Sequence, residues 1–379
     1  MSPEGLTERD LKSIPIFHQS ETALRLNLGS SGAATCVDRR GNRKMKVQEI
    51  FKGVLIRACV ATSLFIVLFA IQVRAQKILA TVPMPPSVCC AVAVNPSLNR
   101  VYVSGGASKN QEVFVLNGAT FKGGVAGTGS GASVDSKTGN YWAATVYGGT
   151  AIVRAGGDNL EVATVPTSDG CPISTAIDEQ ARRAWVITQC GEGSDPVFAF
   201  DADKFTLIHG PIFSGGVMGP AAINSATGRL YIGPSGVSRR INPKTFEVTT
   251  NAFGVVETVD PISNKLYAMA GNTLEIIDGK PDPEVIAANV PMDYSPSGAA
   301  VNHALHHLYL SNSAKSCIEA RDLSTGALVT TFPLAAGANP GGIGVDPTRG
   351  RLYVLAAGRE KNLLYVIQED ATHRQILKK

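Results

Sequence analysis

From about residue 80 to the C-terminus, apolar and polar positions alternate in short runs that stop on an acidic or amide residue, turn, and resume as an aromatic-bearing run. A period of two predicts strands rather than helices. The segment Gly342 to Leu355, GIGVDPTRGRLYVL, is one copy of a strand, a tight turn and a second strand; six more copies precede it. The polar stops are Asn95, Asp135, Asp178, Asn224, Asp260, Asn302 and Asp346. Seven residues after each stands an aromatic: Tyr102, Trp142, Trp185, Tyr231, Tyr267, Tyr309 and Tyr353. The stops lie 40, 43, 46, 36, 42 and 44 residues apart, the repeat length of a four-stranded propeller blade. The pattern therefore predicts an all-β, seven-bladed β-propeller.

Positions around each stop agree with that geometry. The residue two before it is small in every copy (Ala93, Ser133, Ala176, Ala222, Thr258, Ala300, Gly344), as expected where inner strands crowd near an axis. The residue one before it is Val or Ile, suited to a buried pleat. The short polar side chain of the stop can bond the backbone of its own turn, and Pro96, Pro261 and Pro347 preset that turn. Third strands end on a second polar stop, at Asn117, Asp201, Asp278 and Asp322. In the first repeat the four strands are expected at Cys89 to Val94, Arg100 to Ser104, Glu112 to Leu116 and around Thr120 to Val125. The run Lys77 to Val82 has no partner ahead of the first repeat, whereas His373 to Lys379 makes a weak last strand. Placing Lys77 to Val82 in the seventh blade closes the ring and removes an exposed sheet edge.

Charge changes the picture only when the leader is set apart. The whole chain carries +4, but residues 76–379 hold 24 basic and 25 acidic residues, so charge alone suggests neither nucleic acid nor an anionic membrane. Arg43, Lys44, Lys46 and Lys52 precede an apolar stretch from Ala58 to Val73 that ends in Val73-Arg74-Ala75. Residues 45–75 thus read as a signal peptide, bounded by Arg57 and Arg74 and short for a membrane span. Residues 1–44 are a polar extension, and Met45-Lys46 is the expected start of translation, which would leave that extension untranslated. Residues 76–379 form the propeller domain, expected to be exported to the periplasm, cell surface or medium, without a stable membrane span after cleavage, and monomeric.

The segment Ala80 to Gly105, ATVPMPPSVCCAVAVNPSLNRVYVSG, resembles the repeat of the YVTN β-propellers: an ATVPVG-like outer strand, a GVAVNP-like inner strand and an RVYVAN-like second strand. RLYIG and RLYVL repeat the theme, and the likeness covers nearly all of residues 76–379. The resemblance implies a secreted or cell-surface protein with a binding role. Related seven-bladed propellers include lactonases and lyases, so the fold leaves an enzyme open.

Candidate chemistry is sparse. Export permits disulfides among Cys89, Cys90, Cys171, Cys190 and Cys317. Antiparallel pairing about the turn between Gln180 and Ala181 sets opposite each other residues whose numbers total 361, which predicts a Cys171–Cys190 bridge. Cys89 and Cys90 are read as two small inner-strand residues rather than a vicinal ring. No zinc spacing occurs, and His303, His306 and His307 are read as an exposed turn, the last two on opposite strand faces. Arg100, Arg183, Arg229, Lys265 and Arg351 recur five residues after the stop, with His307 in a sixth copy, each read as solubilising its own turn and laying its stem over the aromatic next door rather than forming a polyanion-binding ring. Glu257 differs from all of these as the only inner-strand carboxylate. A lone acid near the axis must be paired, wet or protonated. The ligand face is expected on the loops entering the inner strands and joining second to third strands, with Asp169, Glu192, Asp195, Asp293, Tyr294, Arg359 and Lys361. No catalytic residue is assignable, and neither a cofactor motif nor a phosphate loop is present. The reading is a platform binding an envelope or extracellular protein or a small ligand. The alternative is a lactonase- or lyase-type enzyme at the channel mouth.

Overall fold

Each polar stop ties down the turn that follows it. In the computed structural model, which describes residues 77–105, 111–146, 148–167, 171–189, 195–215, 221–233, 236–358 and 361–369, all seven stops are fully buried. The Asn95 Oδ1 accepts from the Leu98 amide at 3.1 Å, Asp178 Oδ1 from Gln180 and Ala181 at 3.1 Å, and Asp346 Oδ1 from Thr348 at 3.0 Å and Arg349 at 3.1 Å. Four residues after each stop the backbone enters the left-handed region: Asn99, Gly139, Arg182, Gly228, Asn264, His306 and Gly350 have φ between 51° and 81°. Three Gly and two Asn there are the residues that tolerate it best. His306 is accordingly a turn corner, not a strand residue, which corrects the expectation that it shares a strand with His307.

Seven four-stranded antiparallel sheets follow, each made of consecutive strands except one. Blades 1 to 6 span residues 91–128, 130–166, 172–213, 222–250, 255–291 and 299–333. Blade 7 takes its inner three strands from Asn339–Asp346, Arg351–Ala357 and Asn362–Gln368, and its outer strand from Lys77–Met84 at the other end of the domain. The ring closes as the sequence predicts. The first blade has strands at Ala91–Asn95, Arg100–Ser104, Glu112–Asn117 and Gly123–Thr128; the outer one starts later than expected because Asn117 and the left-handed Phe121 hold a turn over its first residues. The expected leader, the proposed start at Met45 and the tail His373 to Lys379 lie outside the described residues.

The register explains the small residue two before each stop. In all seven blades it sits directly opposite the aromatic: Ala93 against Tyr102, Ser133 against Trp142, through to Gly344 against Tyr353. Every one of those aromatics is fully buried. Crowding at the axis acts as well, since a Cβ on Gly344 would lie 2.7 Å from the side chains of Val92 and Val94 in blade 1.

Blades are stapled to one another at the turn face. Asp135 of blade 2 receives both terminal nitrogens of Arg182 of blade 3, at 2.8 and 2.6 Å. Asp260 meets His303 at 2.8 Å, and the Asn302 amide donates to Glu369 at 2.9 Å. Burial opposes ionisation of Asp135, but the hydrogen bonds from Arg182 and Thr138 outweigh it and hold the carboxyl below its ordinary range. The recurring arginines do the same job. Arg100, Arg183, Arg229 and Arg351 donate to the carbonyls of Gly157, Pro243, Gly279 and Gly118, each in the next blade. They hold the neighbouring turn rather than solubilise their own, and Arg183 also lies over the Trp185 ring, 5.4 Å from its centroid.

Candidate functional site

The inner strands enclose an axial cavity of about 670 Å³. Its wall includes the residue three before each stop: Val92, Ala132 and Thr175, then Ala221, Glu257, Ala299 and Ile343. Five are apolar. The Thr175 hydroxyl is spent within the wall on Ser133 Oγ at 2.7 Å, Gly131 O at 2.9 Å and Trp142 O at 3.2 Å. The Ser130 and Ser297 hydroxyls are likewise turned away, Ser130 to the carbonyls of Gly105 and Ile173, Ser297 to Pro340, whereas Ser174 makes no such bond among the described residues. Glu257 alone among the described wall residues carries a titratable carboxyl. No donor among the described residues pairs with it, and burial pushes its pKa up to about 7.

The remaining candidates do not join it. Asp195 sits at the start of the third strand of blade 3, nearly buried, its carbonyl accepting from the Ser214 hydroxyl at 2.9 Å. Asp293, before blade 6, is exposed and paired with Lys315 at 2.7 Å, a bond that pulls its carboxyl below the usual range. Tyr294 beside it is buried, and burial together with the nearby Glu319 pushes its phenol up. Lys361 lines a separate cleft of about 600 Å³ in blade 7, walled by Ala335, Ala338, Ala356 and Tyr365 among others. Asp169, Glu192 and Arg359 lie outside the described residues. The structure thus spreads the loop-face groups over blades 3, 6 and 7, while Glu257 stands apart inside the ring.

The register behind the Cys171–Cys190 expectation and the reading of Cys89 and Cys90 both change. The 361 register holds from Asp178–Arg183 to Ser174–Ile187, but a bulge between Pro172 and Ser174 shifts it by one. Beyond the bulge the Gln189 amide donates to the Cys171 carbonyl at 2.9 Å, which sets Gln189 opposite Cys171. Cys190 itself lies outside the described residues. Cys89 and Cys90, read from sequence as two small residues, are instead paired as a vicinal disulfide, and Cys90 borders the axial cavity. The three histidines diverge: His303 to Asp260, His306 towards Asp322 at 3.7 Å, and His307, buried, to the Tyr309 hydroxyl at 3.1 Å.

Two structural features escaped the sequence. The buried Glu319 accepts from Asn312 at 3.0 Å and from Arg321 at 2.9 and 2.6 Å; the alternation of polar residues in CIEARD was its only signal. Glu284, one residue after the Asp282-Pro283 turn, gathers Arg229, Arg240 and the Tyr231 hydroxyl within 2.7 to 2.9 Å.

With that geometry in hand, the chain can be set beside known proteins. No family model and no curated protein matches it. Solved structures do. It is similar to a chain of the mitotic checkpoint complex, at 12% identity and a TM-score of 0.63, covering 78% of this chain and 94% of that one. It is also similar to the Cps50 (Swd1) β-propeller domain of Myceliophteria thermophila, at 14% identity and a TM-score of 0.58, covering 78% and 100%. At such identities the likeness speaks for the fold alone.

Proposed function

We propose that this chain is an exported YVTN-type β-propeller that serves as a binding platform, using its loop face. The observation that carries the reading is the contrast in polar groups between faces. Turn-face side chains such as Arg182 and Asp135 are committed to the neighbouring blade, while the loop-face groups Asp293, Lys315 and Lys361 are exposed, the first two at blade 6 and the third at blade 7. Such scatter suits a broad contact surface, whereas a lactonase or lyase needs several polar groups within reach of one reacting atom. The YVTN-like motif of Ala80 to Gly105 and the basic, then apolar, leader support export.

Site-specific photo-crosslinking in the producing cells tests the platform. A crosslinker at Asp293, on the loop face, should give discrete protein adducts. One at Ile262, which is 71% exposed on the turn face, should give few. Equal adducts from both positions, or adducts from Ile262 alone, would overturn the assignment of the face. N-terminal sequencing of the same protein tests export: the reading expects a mature chain beginning near Gln76, and a cytosolic chain retaining residues 45–75 would contradict it.

A further inference from the structure

The axial cavity combines three features that the platform reading does not use: ligand-sized volume, a mostly apolar wall, and one carboxyl with no partner among the described residues. We propose that it is a binding site for a small organic cation with an apolar body, a protonated amine whose ammonium group seats against Glu257. The proposal goes beyond the platform reading and stands if that reading fails.

The chemistry of the wall selects the ligand class. Small-molecule sites typically enclose roughly 300–1,000 Å³ and are mostly apolar with a few placed polar groups, which this cavity matches. A sugar would need donors and acceptors fanned around its ring, but the hydroxyls of Ser130, Thr175 and Ser297 donate into the wall itself, which leaves Ser174 as the one wall hydroxyl uncommitted among the described residues. An anion would meet no cation, because no described wall residue is Lys, Arg or His. A hard divalent cation such as Ca2+ or Mg2+ prefers about six or more oxygen ligands, and one carboxyl cannot supply them. An amine needs only what is present: one acid to pair with and an apolar surface to cover its body.

Glu257 is also poised to respond. Around it, Asp260 lies at the far end of its own strand, Lys265, Tyr267 and Glu275 belong to the second and third strands of blade 5, and Arg229 and Tyr231 to blade 4. None of these lines the cavity; Tyr231 and Arg229 bind Glu284, and Glu275 accepts from the Gly254 amide at 2.8 Å. The inner strand of blade 6, Ala299–Asn302, carries no titratable side chain. Without an ammonium partner, burial favours the neutral acid. When an ammonium ion enters, the acid ionises: the carboxylic acid loses its proton to solvent, and the carboxylate pairs with the intact R–NH3+ group. Binding near neutrality thus releases a proton, and affinity rises with pH until Glu257 is ionised in the free protein.

Isothermal titration of the full chain with phenethylammonium, in two buffers of different ionisation enthalpy, tests this. The expected result is release of about half a proton at pH 7, with affinity at least tenfold weaker for the neutral isostere phenethyl alcohol. Glu257→Gln should weaken amine binding tenfold or more and abolish proton release. Glu257→Asp, which keeps the charge on a shorter arm, should retain the proton release at reduced affinity and serves if the Gln variant misfolds. Equal affinity for amine and alcohol, tighter binding of phenylacetate, wild-type affinity in Glu257→Gln, or no amine binding up to millimolar concentration would each overturn the proposal.

Discussion

The two faces of the ring follow opposite rules. On the turn face a seven-fold lattice repeats: a buried polar stop, a left-handed residue four positions on, and hydrogen bonds that cross to the next blade. On the loop face the connecting segments differ in length and composition from blade to blade, and polar groups such as the Asp293–Lys315 pair are exposed. Periodicity marks what every blade must do to stack, and departure from it marks what one blade does alone. Glu257 is the sharpest such departure, a carboxyl at a position that six other blades fill with Val, Ala, Thr or Ile.

Substitutions should separate the two rules, beginning with the periodic element. Trp185 is fully buried between blades 3 and 4, so Trp185→Ala should cost about 3–5 kcal/mol in denaturant-induced unfolding. A smaller loss would mean that the blade collapses around the gap.

The next effect comes from the channel and has the opposite sign. The folded pKa of Glu257, about 7, lies above the ordinary 4.5, so the fold favours the neutral acid. Below pH 4.5 both states are protonated and nothing is lost. As pH rises towards 7 the unfolded chain ionises first, and stability falls by on the order of 3 kcal/mol before levelling above the folded value. Glu257→Gln should therefore stabilise the protein at pH 8 and leave it nearly unchanged at pH 4, a difference readable by thermal melts across that range.

A single staple comes third. Arg182→Ala strips two charged hydrogen bonds from the buried Asp135 and should cost about 1.5–3 kcal/mol. Raising the salt concentration should not mimic this loss, since buried pairs are poorly screened. The smallest effect belongs to the loop face. Lys315→Ala breaks an exposed pair with Asp293, and its melting temperature should match the wild type.

What was legible in the sequence follows the same division. The seven stops, their aromatics and the closing strand Lys77–Met84 could be read directly, because stacking imposes the same physical demand on each copy. The left-handed position was visible only as Gly or Asn in five copies; Arg182 and His306 hid it in the other two. The Cys171 register failed because a bulge leaves no trace in an alternating pattern. The arginine staples were missed because a side chain's reach into the next blade depends on how blades pack, not on spacing within a blade. Glu257 stood out as the one exception in its column, but the cavity around it and the hydroxyls turned away from it required three-dimensional placement.

The most direct test of this account is the titration of the Glu257 carboxyl itself, followed by carbon-13 NMR on selectively labelled full-length protein with Glu257→Gln to assign the signal. The account predicts a midpoint near pH 7 in the free protein. A midpoint in the ordinary range near 4.5 would mean that water or an unrecognised donor satisfies the carboxyl, and would contradict the isolated acid on which the channel's role rests.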